Sequence, residues 1–391
     1  MFLFKPNGIN IEKIVISSFL AVSVIGVFMC CLRNTYQLKK LTKTDRRLFF
    51  LLMFWSIIVI ARSFSLSVQD WVTNFGNVYM ALAWFSPILI ILGQKIENWK
   101  VIFYALFFMF KLMVISLFFL PFYIDVGKLK TEWSWLLRPL NFMLLIGIKR
   151  FRAIKRLIVY LTFIIYILIG VLTEQRLEFI YLAILIFLIF IDSLYQIKLK
   201  RKILKIIFFS AVTITITVFT YGYKNLNDIL IQYIEYQDTR VFLYEELFEE
   251  LNVNEKIIGR GSLGTYYSHF MEHTKYYTIN ILKYEWWGDS STRITIEVGY
   301  LQMILKGGII LFFLTAYFML KASYLGIFKS KSKFVKRLGV YIFILSVLSL
   351  ISFRPAFTPT FILLWMAIGT VLNKHNRSLT DEEVENLIKI N

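Results

Sequence analysis

Cysteine, histidine and proline are almost missing from this chain, with 2, 3 and 6 copies in 391 residues. Cys30 and Cys31 are adjacent, cannot readily bridge each other and have no third cysteine to meet, which excludes a disulfide framework and cysteine chemistry. Glycine is also sparse at 18 residues, and no internal repeat or low-complexity segment interrupts the chain. Acidic residues are outnumbered, 25 Asp+Glu against 44 Lys+Arg for a net charge of +19. Early in the chain stands Lys5, then a long apolar run with no small-residue cleavage site, which reads as an uncleaved span and not a signal peptide.

What the chain has in excess is apolar surface. Hydrophobic residues make up 58% and aromatic residues 18%, with a mean hydropathy of +0.65. Repeated apolar runs near 20 residues call for lipid, not a soluble core. The expectation is an all-α polytopic membrane protein with about eleven transmembrane helices, at Ile14–Leu32, Leu48–Leu66, Val78–Leu92, Val101–Tyr123, Trp135–Ile148, Leu157–Leu172, Leu177–Tyr195, Ile203–Thr220, Gly308–Phe328, Leu338–Phe353 and Phe361–Leu372. The 135–148 run is short and holds Arg138 and Pro139. Residues 1–220 then carry eight membrane helices, 221–297 one long polar loop, 298–373 three further helices and 374–391 a tail. Thr380 and Glu383 stand at capping-box spacing in that tail, predicting one short helix.

Charge placement orients the chain. The connectors 33–47, 94–100, 149–156, 196–205 and 321–337, with the tail, hold 27 of the 44 Lys+Arg, so this basic side is read as cytoplasmic, the N-terminus as outside and the C-terminus as inside. Such placement makes the net charge an orientation signal and excludes nucleic-acid binding as the main role. The 221–297 loop falls outside the membrane and is acidic, as suits a translocated segment.

Arginines away from the basic connectors need a separate account. Arg62 lies in a span, Arg176 in the tight connector 173–176, Arg354 beside Pro355, and Arg240, Arg260 and Arg293 in or at the end of the loop. Each reads either as a headgroup contact or local ion pair, such as Arg176 with Glu174 or Glu178, or as part of an outward cationic cluster whose donor forks suit diphosphate oxygens. A helix after Asp238 would carry Val241, Tyr244, Leu247, Phe248 and Leu251 on one stripe, with Arg240 beside them and Glu245, Glu246, Glu249 and Glu250 opposite.

The turn Gly259–Gly264 matches G-x-G-x-x-G but lacks a strand-turn-helix setting, so its glycines are read as allowing a sharp turn or close approach. His269 and His273 match H-x-x-E-H without a third ligand, and no metal site is assigned. Arg293 and Glu297, if helical, stand at i and i+4 on one face beside Tyr300, with Gly307–Gly308 breaking that helix from the next span. Glu297 is then a candidate base for a sugar hydroxyl, with arginines offsetting charge on a leaving diphosphate; a plain ion pair at a helix start is the alternative. Tyr266, Tyr267, Tyr284, Trp286 and Trp287 serve sugar stacking or membrane-interface anchoring equally well.

Two spans joined by a tight turn with Arg176, a long outer loop, the early Arg240, Gly259-Arg-Gly261 about twenty residues on, and Tyr300-Leu-Gln-Met-Ile-Leu-Lys-Gly-Gly-Ile309 before the next span follow in order over 157–353. In this order the chain resembles the bacterial O-antigen polymerase and ligase superfamily, Wzy-type polymerases in particular. The resemblance implies a GT-C-like fold in the bacterial plasma membrane, and a metal-independent glycosyltransferase with no cofactor. Such an enzyme polymerises undecaprenyl-diphosphate-linked oligosaccharide into surface polysaccharide. It implies catalytic roles for Glu297 and Arg293, diphosphate or substrate binding by Arg176, Arg240, Arg260 and Arg354, and a chain-length regulator and flippase as further partners. Glu297 stands where ligases of that superfamily carry a histidine, which weakens ligase-type transfer as the alternative. A non-enzymatic flippase or exporter of lipid-linked glycan would carry charge along many spans and show repeated halves, whereas Arg62 and Lys111 are the only basic residues clearly inside spans before the loop.

Overall fold

A computed structural model describes residues 11–65, 67–117, 240–276, 279–280 and 291–388, with isolated positions between 139 and 164. The predicted spans at 177–220, the turn with Arg176, and Tyr284, Trp286 and Trp287 lie outside these residues.

The described chain is mainly helical. Helix α1 (Ile11–Arg33) ends at a basic residue, favourable at a helix C-terminus. Helix α2 (Lys43–Ala61) is started by Thr42, whose hydroxyl accepts from Asp45 N at 3.2 Å, and α3 (Val68–Gly76) by Ser67, which accepts from Asp70 N. Such caps contribute about 1 kcal/mol each. The predicted span Val78–Leu92 is broken into α4 (Ala81–Phe85), a 3-10 turn at Ser86–Leu89 and α5 (Ile90–Gly93). Pro87 explains the break, because its ring removes a donor and crowds the preceding turn. Helix α6 (Asn98–Leu117) follows.

The loop region contains α7 (Arg240–Glu250), α8 (Val253–Ile258), β1 (Tyr266–Tyr267), α9 (His269–Tyr276) and β2 (Thr292–Arg293), with β1 and β2 antiparallel. After it come α10 (Gly299–Lys329), α11 (Lys333–Leu348), α12 (Pro359–Leu372), α13 (Lys374–Ser378) and α14 (Asp381–Ile388). The main core lies where α10, α11 and α12 pack on α2, α5 and α6, around fully buried Phe318, Ile342, Ala367 and Trp99. Phe142, within the 135–148 segment, stacks on Trp99 at 5.1 Å and meets Tyr341 edge-on. A smaller core joins Leu243 and Leu247 of α7, and Leu251 just after it, to Tyr266, Ile296, Val298 and Leu301. The α7 stripe therefore runs through Leu243, while Phe248, expected on it, is exposed.

Among the described residues, the charged connectors 33–47, 94–100 and 321–337 and the tail gather at one end of this helical layer. Asp45 is buried and accepts from Lys321 Nζ at 2.6 Å and Tyr317 OH at 3.0 Å. Asn373 and Asn376 donate to Gln94 O at 2.9 and 3.1 Å, and Lys333 N donates to Asp381 at 2.6 Å. The tail forms two helices, not the single one expected, and Thr380 with Glu383 closes the capping box, Thr380 N meeting Glu383 Oε2 at 2.7 Å. At the opposite end, residues 59–80, 240–276, 291–300 and 349–360 meet.

The count of eleven spans is not reached among the described residues. Gly299–Lys329 is long and apolar enough to cross a bilayer, and Asp70–Gly76 with Ala81–Gly93, bent by 44°, could form one broken span. Other predicted spans are shorter apolar helices, as Pro359–Leu372, or carry charge in their first five residues, as α2 does with Lys43, Asp45, Arg46 and Arg47.

Candidate functional site

The glycine-rich turn is a structural junction. Helix α8 begins with a complete capping box between Asn252 and Glu255 and ends at Gly259, whose φ is 73°. Helix α10 is interrupted at Gly308, with φ 67° and ψ −172°, the break expected from the glycine pair. The two segments cross so closely that a Cβ on Gly308 would lie 2.0 Å from Ile257 O, and one on Gly259 would lie 2.4 Å from Lys306 C. Only glycine meets both the positive φ and the contact. The carbonyls freed at the break are used: Leu305 O and Lys306 O accept from Arg260 N and Gly261 N at 2.7 and 2.9 Å, and Gly307 O accepts from Trp55 Nε1 at 2.8 Å. Lys306, fully buried, donates to Gly264 O at 2.7 Å.

Arg260 and Arg62 serve this junction. Arg260 donates to both carboxylate oxygens of Glu255 at 3.0 and 3.1 Å, and to Glu250 and Thr265 O. Its fork faces carboxylates, so the structure gives it a bracing position and no phosphate-facing donor. Arg62 Nη1 donates to Ile258 O at 2.6 Å. The bond from Arg260 holds the Glu255 carboxyl below the usual value of 4.5. A depressed folded-state pKa adds stability that is complete above the unfolded value and is lost as pH falls through the folded one. Glu255→Gln should therefore lower the unfolding temperature in detergent at pH 7, and the difference from wild type should shrink progressively as pH falls below about 4; an undiminished difference at acid pH would refute the assignment.

The last part of the loop is extended. Arg293 pairs with Tyr266 in the β1–β2 ladder, and the chain stays non-helical until Gly299, which corrects the expected Arg293–Glu297 helix. The reason is visible in Thr292-Arg-Ile-Thr-Ile-Glu-Val298: β-branched residues alternate with polar ones, a period-2 pattern. Ile296 and Val298 are buried, while Arg293, Thr295 and Glu297 are not. Residues four apart share a side in a strand as in a helix, so the pair survives the change of geometry: Arg293 Nη2 lies 3.5 Å from Glu297 Oε1. Burial pushes the neighbouring Tyr266 hydroxyl up to about 12, with Arg293 acting in the opposite direction.

Arg354 comes from the α11–α12 turn. Its Nη1 donates to Thr295 Oγ1 at 3.1 Å, and its guanidinium carbon lies 3.8 Å from the centre of the Tyr79 ring. The turn is held tightly: Phe353 bridges to Val298, Gly299 N and Tyr300 N donate to Ser352 O and Ser349 O, and Phe357 N donates to Val78 O at 2.7 Å. The bonds from Gly299 N and Tyr300 N satisfy buried donors at the start of α10, which has no side-chain cap. Phe353, just before Arg354, adopts φ 58°. For a non-glycine residue this costs about 1–3 kcal/mol and is found where surrounding contacts enforce it, often at functional sites.

Between these segments lies a cleft of about 200 Å³ lined by Tyr79, Glu297, Ser352, Phe353, Arg354, Ala356, Thr358, Thr360 and Phe361. The structure thus brings together Arg293, Glu297 and Arg354 of the sequence-derived candidates. Arg260 stands apart in its carboxylate brace, Arg240 lies at the start of α7 without a described side chain, and Arg176 is outside the described residues. Tyr79, Thr295 and Phe353 were not singled out from sequence; the alternation at 292–298 marks Thr295, whereas Tyr79 reaches the cleft through contacts with no local pattern. His269 packs edge-on against Tyr267, and among the described residues no group of three or more His, Cys, Asp or Glu converges. No known protein family, curated protein or solved structure matches the chain.

Proposed function

We propose that the chain is a polytopic plasma-membrane polymerase that joins undecaprenyl-diphosphate-linked oligosaccharide units at the outer membrane face, releasing the lipid diphosphate. One observation carries this reading: a cleft where Glu297, paired to Arg293, lines the same wall system as Arg354, at the end of the helical layer opposite the basic connectors. Two-ended charge placement supports an outer position for the cleft. Exposed apolar residues along α2 and α6, including Phe50, Phe54, Ile57, Val101, Phe108 and Ile115, support a lipid setting. The eleven-span count, with the N-terminus outside and the C-terminus cytoplasmic, belongs to this proposal.

In this reading Arg354 donates to the leaving diphosphate. Its guanidinium is planar and pre-oriented, and among the described residues Thr295 is its only hydrogen-bond partner. Glu297, with half its side chain exposed at 53%, is placed to accept the proton of the acceptor hydroxyl, while Arg293 orients it. Threonine and serine hydroxyls of the cleft suit sugar hydroxyls. Arg260 takes no part in binding, and Arg176 and Arg240 remain diphosphate candidates. No cofactor or metal enters the scheme, and a flippase and a chain-length regulator are its proposed partners.

The test is a strain lacking the chain, complemented with wild type or Glu297→Gln, with surface glycan separated by size. Wild type should restore a ladder of repeat units, and Glu297→Gln should leave single-repeat material because the variant keeps the side-chain shape but not its basicity. Long chains in the deletion strain would overturn the reading, and a full ladder from Glu297→Gln would overturn the base assignment alone.

A further inference from the structure

We propose that Tyr79 is a positioning residue for Arg354, a role that rests on the proposed diphosphate site. Tyr79 sits in a turn before α4, with its N–H donating to Asn77 Oδ1 at 3.0 Å and Val78 O accepting from Phe357 N at 2.7 Å. The turn is thereby fastened to the segment that carries Arg354. The Arg354 guanidinium stacks over the Tyr79 ring at 3.8 Å, close enough for a direct cation–π contact. Thr295 engages one nitrogen from the side.

Stacking and a single lateral bond define a plane. A guanidinium held by its face keeps its in-plane N–H donors available, since the ring takes none of them as an acceptor would. This separates Arg354 from Arg260, whose donors are taken up by Glu250, Glu255 and Thr265 O. Phe353, with its left-handed backbone, sets where the arginine leaves the chain, and Tyr79 sets the tilt of its head group. Tyr79 and Arg354 both line the cleft, so the stack forms part of its wall.

The aromatic face is the part that meets Arg354. The full-length protein in lipid nanodiscs can be titrated with undecaprenyl diphosphate and its dissociation constant read by native mass spectrometry. Tyr79→Phe and Tyr79→Trp should bind as wild type does. Tyr79→Leu should bind about tenfold more weakly, in line with loss of a partly desolvated cation–π contact. In an Arg354→Ala background, Tyr79→Leu should add nothing further, since the effect runs through the arginine. Unchanged binding by Tyr79→Leu, equal weakening by all three variants, or full additivity with Arg354→Ala would each overturn the proposal.

Kinetics with lipid-linked oligosaccharide separate this result from the function itself. If wild type polymerises, Tyr79→Leu should raise the apparent KM more than it lowers kcat, whereas a merely destabilised protein would lose kcat at constant KM. If wild type binds the lipid diphosphate but forms no polymer, the proposed activity falls, and the pattern among the Tyr79 variants still decides the positioning role.

Discussion

Arg354→Ala is expected to abolish the repeat-unit ladder and reduce polymer formation in nanodiscs by about 10²- to 10³-fold, the usual cost of deleting a preorganised donor to developing charge. The size follows from its setting. Thr295 and Tyr79 hold the guanidinium in place before substrate arrives, and the constrained turn at Phe353 fixes its base. In the proposed reaction, little reorganisation would then be needed as charge develops on the leaving diphosphate. Arg354→Lys keeps the charge but loses the planar fork and most of the stacking, so it should recover only part of the activity. The side chain is no core element, and both variants should accumulate in the membrane at wild-type levels. Wild-type ladders from Arg354→Ala would remove the central anion-binding residue from the scheme.

A different loss is expected of Gly308→Ala. The added methyl would meet Ile257 O at 2.0 Å and C at 2.2 Å, both backbone atoms, with φ at 67°. Neither rotamer change nor side-chain movement relieves such a contact. Helix α8 must move off α10, and the bonds from Arg260 N and Gly261 N to the α10 carbonyls must break with it. On the order of 4 kcal/mol or more is expected from combined strain and lost pairing. A fluorescent fusion should show loss of the monodisperse peak in detergent gel filtration. Gly26→Ala is the control: in α1 a Cβ meets nothing within 4 Å, and alanine is the better helix former. A monodisperse Gly308→Ala protein of wild-type thermal stability would show that the tight crossing is not required.

Local signals were legible in the sequence where the determining residues are neighbours. The break at Gly307–Gly308 and the Thr380–Glu383 cap fall in this class, since each needs only a short window. Proximity of Arg293 and Glu297 was legible for a reason that does not discriminate geometry, because spacing of four puts them together in either helix or strand. The alternation from Thr292 to Val298 carried the missing information. Arg260 shows a second kind of difficulty: as an isolated loop arginine it suggests an anion site, but Glu250 and Glu255 reach it only once α7, α8 and the turn fold back on one another. The Tyr79–Arg354 stack joins positions 275 residues apart by their numbering, and no periodicity relates them. Helix type was thus readable, whereas the cleft depends on which ends of distant helices meet.

The junction beneath Gly259–Gly264 also sets an order of events during synthesis. Trp55 waits for Gly307, 252 residues later, and Ser63 for Leu263, 200 residues later. At about 5–20 residues per second, the end of α2 is made roughly 10–50 s before its partners exist. During that interval its indole N–H and hydroxyl must be served by water, lipid headgroups or an insertion factor. A chain stalled on the ribosome before Gly307 should therefore leave the 59–63 segment open to protease, whereas one stalled well beyond Gly307 should protect it.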